Sequence, residues 1–322
     1  MNLQLKSGAL QQVLALASLV VLLVTFSLSS GNFFQFSNLI GILLSTAVIG
    51  VLALGSTFEI ITGGIDLSVG TVMTLSAVMS GVFITFWGLP VPIGILGGIL
   101  TGALCGLLSG TAVAEMKIPP FIATLAMMMI AKGLALIISG AKPIYFTEAE
   151  SFANISQGSV LGSLIPGFDI PNAVLIFFIA AILGFLILSK TIIGRYNVAL
   201  GSNEEATRLS GVNVGYWKIV IYTLTGAFTG LAGVMMASRL NSANPALGAG
   251  YELEAIAAVV LGGTSLSGGK GTIMGTVIGA LIMSVLTNGL RILSVPQEWQ
   301  TVVVGFVIIL AVYADMLRRR KA

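Results

Sequence analysis

The 322-residue chain has no histidine, a single cysteine (Cys105), and only 8% charged residues. Without histidine, imidazole acid-base chemistry and histidine metal ligation are excluded. One cysteine builds neither an intrachain disulfide nor a thiolate metal cluster. Enzyme readings thereby lose most of their parts. The scarcity of charge excludes a water-soluble globule, because 15 Lys+Arg and 12 Asp+Glu cannot cover the surface of a chain that is 56% hydrophobic. What the chain has instead is apolar length. Its runs of about 17 to 25 residues match a bilayer crossed as helix, not the ten-residue alternation of a β-barrel. The fold class is all-α, a polytopic membrane protein. The net charge of +3 does not point to nucleic acid, since the basic residues are scattered between apolar runs and end in one C-terminal cluster.

Ten spans are expected, at roughly 11 to 28, 38 to 61, 68 to 87, 91 to 113, 119 to 139, 171 to 189, 218 to 238, 251 to 263, 272 to 290 and 299 to 316. The eighth is short enough to be broken. The first is longer than a secretion-signal core and is read as an uncleaved span. With the N-terminus and C-terminus cytoplasmic, that side holds Lys6, Lys117, Lys190, Arg195, Arg208, Lys218, Lys270, Arg318, Arg319, Arg320 and Lys321; the far side holds Lys142, Arg239 and Arg291. Eleven against three satisfies the positive-inside rule. Lys132 falls inside the fifth span, which leaves it facing the protein interior or lying nearer an end. The 40 glycines concentrate in stretches such as 97 to 110 and 275 to 284, which read as close helix-packing faces. Cys105 reads as a small packing residue among them.

The segment TGGIDLSVG (62 to 70) recurs in form as LGGTSLSGG (261 to 269). Both copies would link an inward-running to an outward-running helix on the same side, so a parallel internal repeat is expected. Paired glycines allow a sharp turn, and Asp66 and Ser265 occupy equivalent positions from which to cap the next helix. Whether these turns are only tight connections or act in transport is open from sequence alone. Two loops are long enough for jobs of their own. In 190 to 218, Asn203 can cap a short helix, Glu204 and Glu205 suit its positive N-terminal end, Arg208 suits its other end, and Gly211 can stop it. Residues 140 to 170, on the opposite side, mix aromatic, acidic and proline residues and form a candidate external docking surface.

The stretch GGTSLSGGKGT (262 to 272) fails as a phosphate loop. The motif needs Gly where Thr264 stands and Ser or Thr where Gly271 stands. No extramembrane segment exceeds about 35 residues, too few for an ATPase domain of the chain's own. If ATP drives the protein, a second polypeptide hydrolyses it. Among ionisable residues inside the spans, Glu59 has no obvious local basic partner and is either a hydrated or packed side chain or part of a translocation path. Glu252 and Glu254 read as helix N-terminal acids. A carboxylate proton relay needs more such groups at depth, which disfavours a proton-coupled secondary transporter.

The segments GGIDLSVG (63 to 70), GRYNVALGSNEEATRLSGVNV (194 to 214) and GYELEAIAAVVLGGTSLSGGKGT (250 to 272) resemble the ribose-type sugar permeases of bacterial ABC importers, in the branched-chain amino acid/ribose permease superfamily. The similarity runs over nearly the whole chain. It implies a single transmembrane permease domain over 1 to 322 in the inner membrane, working with a second permease copy or paralogue amid membrane lipid. It also implies a cytoplasmic ABC ATPase that binds the ATP and Mg, and a periplasmic or lipid-anchored sugar-binding protein. No cofactor in this chain and no nucleic-acid partner are expected. By resemblance, Asn203, Glu204, Glu205, Ala206, Thr207, Arg208, Leu209, Ser210 and Gly211 form the coupling helix seated on the ATPase. The hinge or pore-base motifs are Gly63, Gly64, Asp66, Ser68 and Gly70, with Gly262, Gly263, Ser267, Gly269 and Lys270. Where the resembled permeases carry an apolar residue this chain has Glu59, so its solute or pore lining can differ from plain ribose. A small neutral sugar fits the low charge of the spans, while a non-sugar solute such as a nucleoside stays open.

Overall fold

The computed structural model describes residues 2–165, 167 and 169–320. Lys321 of the expected basic tail lies outside them. The described residues form helices α1 (Asn2–Ser29), α2 (Phe36–Ile61), α3 (Val69–Gly81) running on into a π-helical turn (Val82–Phe86), α4 (Val91–Ala114) and α5 (Pro120–Ser139). After strand β1 (Ile144–Tyr145) come α6 (Glu150–Gln157), α7 (Val160–Leu164), α8 (Asn172–Lys190), α9 (Ile192–Ser202), α10 (Glu204–Leu209) and α11 (Val214–Leu240). Strand β2 (Ser242–Ala243), α12 (Tyr251–Leu261), α13 (Ile273–Ile292) and α14 (Gln297–Arg320) complete the chain. The all-α expectation holds, apart from the antiparallel β1–β2 pair.

Eight of these helices are long and apolar enough to cross a membrane, against the ten expected. The two that fall short are α12 and α14. The apolar part of α14, Gln297–Tyr313, is shorter than the others. The eighth span is broken, as its length suggested. Helix α12 has only 11 residues, a rise of about 16 Å, and non-helical backbone from 241 to 250 precedes it. Such backbone survives at membrane depth only when protein surrounds it. Here the Leu247 carbonyl accepts from Thr74 Oγ1 at 2.6 Å, which satisfies it against α3.

Small residues set the helix spacing. Gly98, Gly102, Gly106 and Gly110 of α4 lie against Tyr222, Gly226, Gly230 and their neighbours on α11, so close that a side chain at Gly102 would strike the Gly226 carbonyl. In lipid, where no hydrophobic force pulls helices together, this close approach supplies the packing contacts. The 275 to 284 face does the same. Gly275 and Gly279 meet Ala258 of α12 and Gly262 just beyond its end, and Cys105 is a buried free thiol. Around these contacts one core cluster joins α2, α8, α11, α12 and α13, with the Phe58 and Phe228 rings stacked at 6.1 Å.

Two expectations need correction. Lys132 is exposed midway along α5, facing neither the interior nor an end. Its long stem lets the ammonium snorkel toward the interface. Residues 140 to 170 are not a free surface throughout. Phe146 and Phe152 stack at 4.1 Å and are buried. The Ser156 hydroxyl donates to the Met235 carbonyl at 2.8 Å, and the Ser238 hydroxyl donates to the Phe152 carbonyl at 2.6 Å. One side of this segment is the lid of α11; Lys142, Tyr145, Glu148 and Glu150 remain exposed.

Candidate functional site at the two glycine turns

Both glycine turns lie at the same end of the bundle and touch. The Gly269 N–H donates to the Ile61 carbonyl at 2.8 Å, tying the second turn to the last turn of α2. Gly63 and Gly263 sit at φ 81° and 90°, the left-handed backbone their sequence pattern called for. The capping expectation fails. Asp66 makes a local turn, its Oδ1 accepting from both Ser68 N–H and Ser68 Oγ at 2.6 Å, and Ser68 rather than Asp66 stands at the α3 N-cap. Ser265 is farther still from a cap. Its N–H donates to the Lys270 carbonyl at 3.0 Å, and α13 begins only after Thr272, whose Oγ1 accepts from the Gly275 N–H at 3.1 Å. The reason is loop length: the second turn runs on through Gly268 and Gly269 before its helix starts.

The two turns also differ in what surrounds them. Asp66, Ser68 and Gly70 are buried, and Gly70 lies against Gly248 and the Glu252 carboxylate. Gly64 lies under the Tyr222 hydroxyl, within 2.7 Å of where its side chain would start. Ser267 and Lys270 are exposed. Glu252 and Glu254 do open α12, and the Glu252 carboxylate accepts from the Gly250 N–H at 3.0 Å.

At this same end stands α10, as its sequence predicted. Asn203 Oδ1 accepts from the Ala206 N–H at 2.9 Å, Glu204 and Glu205 fill the first turn, and Gly211 ends the helix at φ 83°. Glu205 pairs with Arg208 across one turn, and Glu204 pairs with Lys218 of α11 at 2.7 Å. Only Thr207 is buried; Leu209 is 80% exposed, so the helix presents an apolar tip uncovered among the described residues. Sequence reasoning missed α9, which precedes it. Its buried Gly194, Asn197 and Leu200 fold half of the supposed polar loop onto the bundle.

Glu59 is fully buried in the last turn of α2, and neither carboxylate oxygen has a hydrogen-bond partner among the described residues. Of the hydrated and packed alternatives, its burial fits the packed one. Sequence also missed a crevice of about 10 Å³, room for one water. It lies between α3 and the non-helical 241 to 250 segment, lined by Thr74, Met236, Ser242 and Asn244 among others. The available signal was the brevity of the eighth apolar run, since interrupted spans mark irregular backbone near transport paths.

Apolar spans, a broken span beside α3, two touching glycine turns and an exposed charged helix at one end define a multi-pass membrane transport subunit. The family model for the permease component of branched-chain amino acid transport systems matches residues 38–312, and the chain belongs to that family. It is 43% identical over 306 residues to the ribose import permease protein RbsC of Escherichia coli (strain K12), covering 94% of this chain and 92% of that one. It is 38% identical to the fructose import permease protein FrcC of Rhizobium meliloti (94% and 85% covered), and 38% identical to the L-arabinose ABC transporter permease protein AraH of Azospirillum brasilense (94% and 86%). No solved structure matches the chain.

Proposed function

We propose that this chain is the membrane-spanning permease subunit of an ATP-driven ABC importer that moves a small neutral sugar, ribose-like in size, across the bacterial inner membrane by alternating access. The relatives named for ribose, fructose and arabinose support the solute class. The observation that carries the mechanism is α10, capped at both ends, charged along its sides and exposed at Leu209. A helix held this firmly yet with Leu209 uncovered among the described residues suits a docking lever for a separate ATPase, which binds the ATP and Mg and does the hydrolysis. Closure of the ATPase pair would shift α10, and the helix bundles would rock so that a central path changes sides. The partners of this reading are a second permease copy or paralogue and a periplasmic or lipid-anchored sugar-binding protein.

Orientation follows from charge. Lys117, Lys190, Arg195, Arg208, Lys218 and Lys270 belong to the end that bears α10, against Lys142, Arg239 and Arg291 at the other, which supports a cytoplasmic α10 and cytoplasmic termini. The test inverts charge without losing the local pair. Glu205→Lys with Arg208→Glu keeps an ion pair one turn apart, so the protein still inserts. The surface offered to the ATPase is reversed, and co-purification of the ATPase and sugar uptake are both expected to fall at least tenfold. Unchanged co-purification sinks the proposal.

A further inference from the structure

The end of α9 reaches α10 through a single residue, Asn203, and it is gripped on both sides by backbone. A side chain on Gly201 would be driven into the Ile61 carbonyl oxygen and would lie 2.8 Å from the Ile61 carbonyl carbon. One on Gly268, whose φ is 82°, would lie 2.8 Å from the Gly201 carbonyl oxygen and 2.9 Å from the Gly63 nitrogen. Gly269 is packed against Ser202 while its N–H donates to the Ile61 carbonyl at 2.8 Å. Residues 201 and 202, the end of α2 and the second glycine turn therefore meet largely as three backbones, with only the Ser202 hydroxyl reaching in beside Gly269.

Such a contact behaves differently from side-chain packing. A side chain absorbs a small displacement by changing rotamer, whereas opposed backbones have no rotamer to change. The residue before this junction, Leu200, is 3% exposed in the core cluster shared with α2 and α12; the residue after it caps α10. Only Asn203 separates α10 from this junction, and Gly201 abuts the end of α2 and the second turn directly, while Gly268 of that turn abuts both Gly201 and Gly63. From this we propose that Gly201 is a positioning residue for transport. It transmits the displacement of α10 to the 63 to 70 and 262 to 269 turns together, so both halves of the echo respond as one gate. The inference rests on α10 being the ATPase-docking helix.

The test uses the full-length chain with its ATPase and binding protein in liposomes. In Gly201→Ala the ATPase co-purifies within twofold of wild type, while solute taken up per ATP hydrolysed falls at least tenfold. Gly133→Ala in α5, where nothing lies within 4 Å, stays within twofold on both. Uptake per ATP within twofold of wild type in Gly201→Ala overturns the inference. Because that variant can fail to insert, hydrogen exchange on the wild-type complex supplies a second reading. On adding ATP, peptides covering 61–64, 199–203 and 266–270 change protection by the same factor within twofold, and 144–157 does not change. A change confined to 199–203 overturns the inference. Absence of protection over 204–209 when the ATPase alone is added removes the docking reading, and this inference with it. Those two failures are thus told apart.

Discussion

The two glycine turns share a sequence pattern and diverge in almost everything built on it. The first is short, buried and closed by a carboxylate, with Asp66 Oδ1 holding Ser68 through two hydrogen bonds of 2.6 Å. The second is longer and closed by backbone alone, Ser265 N–H to the Lys270 carbonyl, and it leaves helix capping to Thr272. Even the helices that enter them differ. At the offset relating the turns, Glu59 of α2 corresponds to Ala258 of α12. Both are fully buried, yet one has two polar oxygens unpaired among the described residues and the other has none to pair. What the copies keep in common is one left-handed glycine in each pair, the first in one (Gly63) and the second in the other (Gly263), and the contact with each other.

Substitutions can break that comparison. Asp66→Ala removes an acceptor shared by the Ser68 N–H and hydroxyl and leaves a buried N–H unpaired. It should cost about 2 to 4 kcal/mol, read as a fall in the thermal unfolding midpoint in detergent. Ser265→Ala, whose backbone does the work, should fall within about 0.5 kcal/mol of wild type; equal effects at the two sites would remove the distinction drawn here. Glu59→Val makes the first copy resemble the second by replacing a buried, partnerless carboxyl with an apolar side chain. It is expected to stabilise by about 1 to 3 kcal/mol, so the same melting measurement should rise. A fall would mean that Glu59 has a partner in the assembled protein. Thr272→Ala removes the cap on Gly275 and should cost about 1 kcal/mol. The corresponding loss is absent at Ser68, whose side chain makes no cap bond.

Much of the fold was legible along the chain. Hydropathy located the crossing helices because burial in lipid acts on each residue separately. The caps of α10 were readable from Asn203 to Gly211 because a capping bond spans only three or four residues. The α4 and α13 packing faces were likewise legible from glycine spacing. The missing parts share one character. Helix α9 hid inside a loop because Gly194, Asn197 and Leu200 make a weak apolar face in a polar stretch. The 241 to 250 segment hid because its carbonyls are satisfied by groups such as Thr74, far away in sequence.

By itself, the sequence determined that the chain lives in a membrane as helices, where it turns on glycine, and that a short charged helix stands near residue 205. These are properties of composition and of neighbours a few residues apart. Only tertiary structure decided that Ile61, Gly201 and Gly268 meet, that Asp66 binds Ser68 while Thr272 does the capping, and that Glu59 is fully buried. Those outcomes depend on which distant backbones can approach one another, and shape complementarity between segments that far apart leaves no local trace in the order of residues.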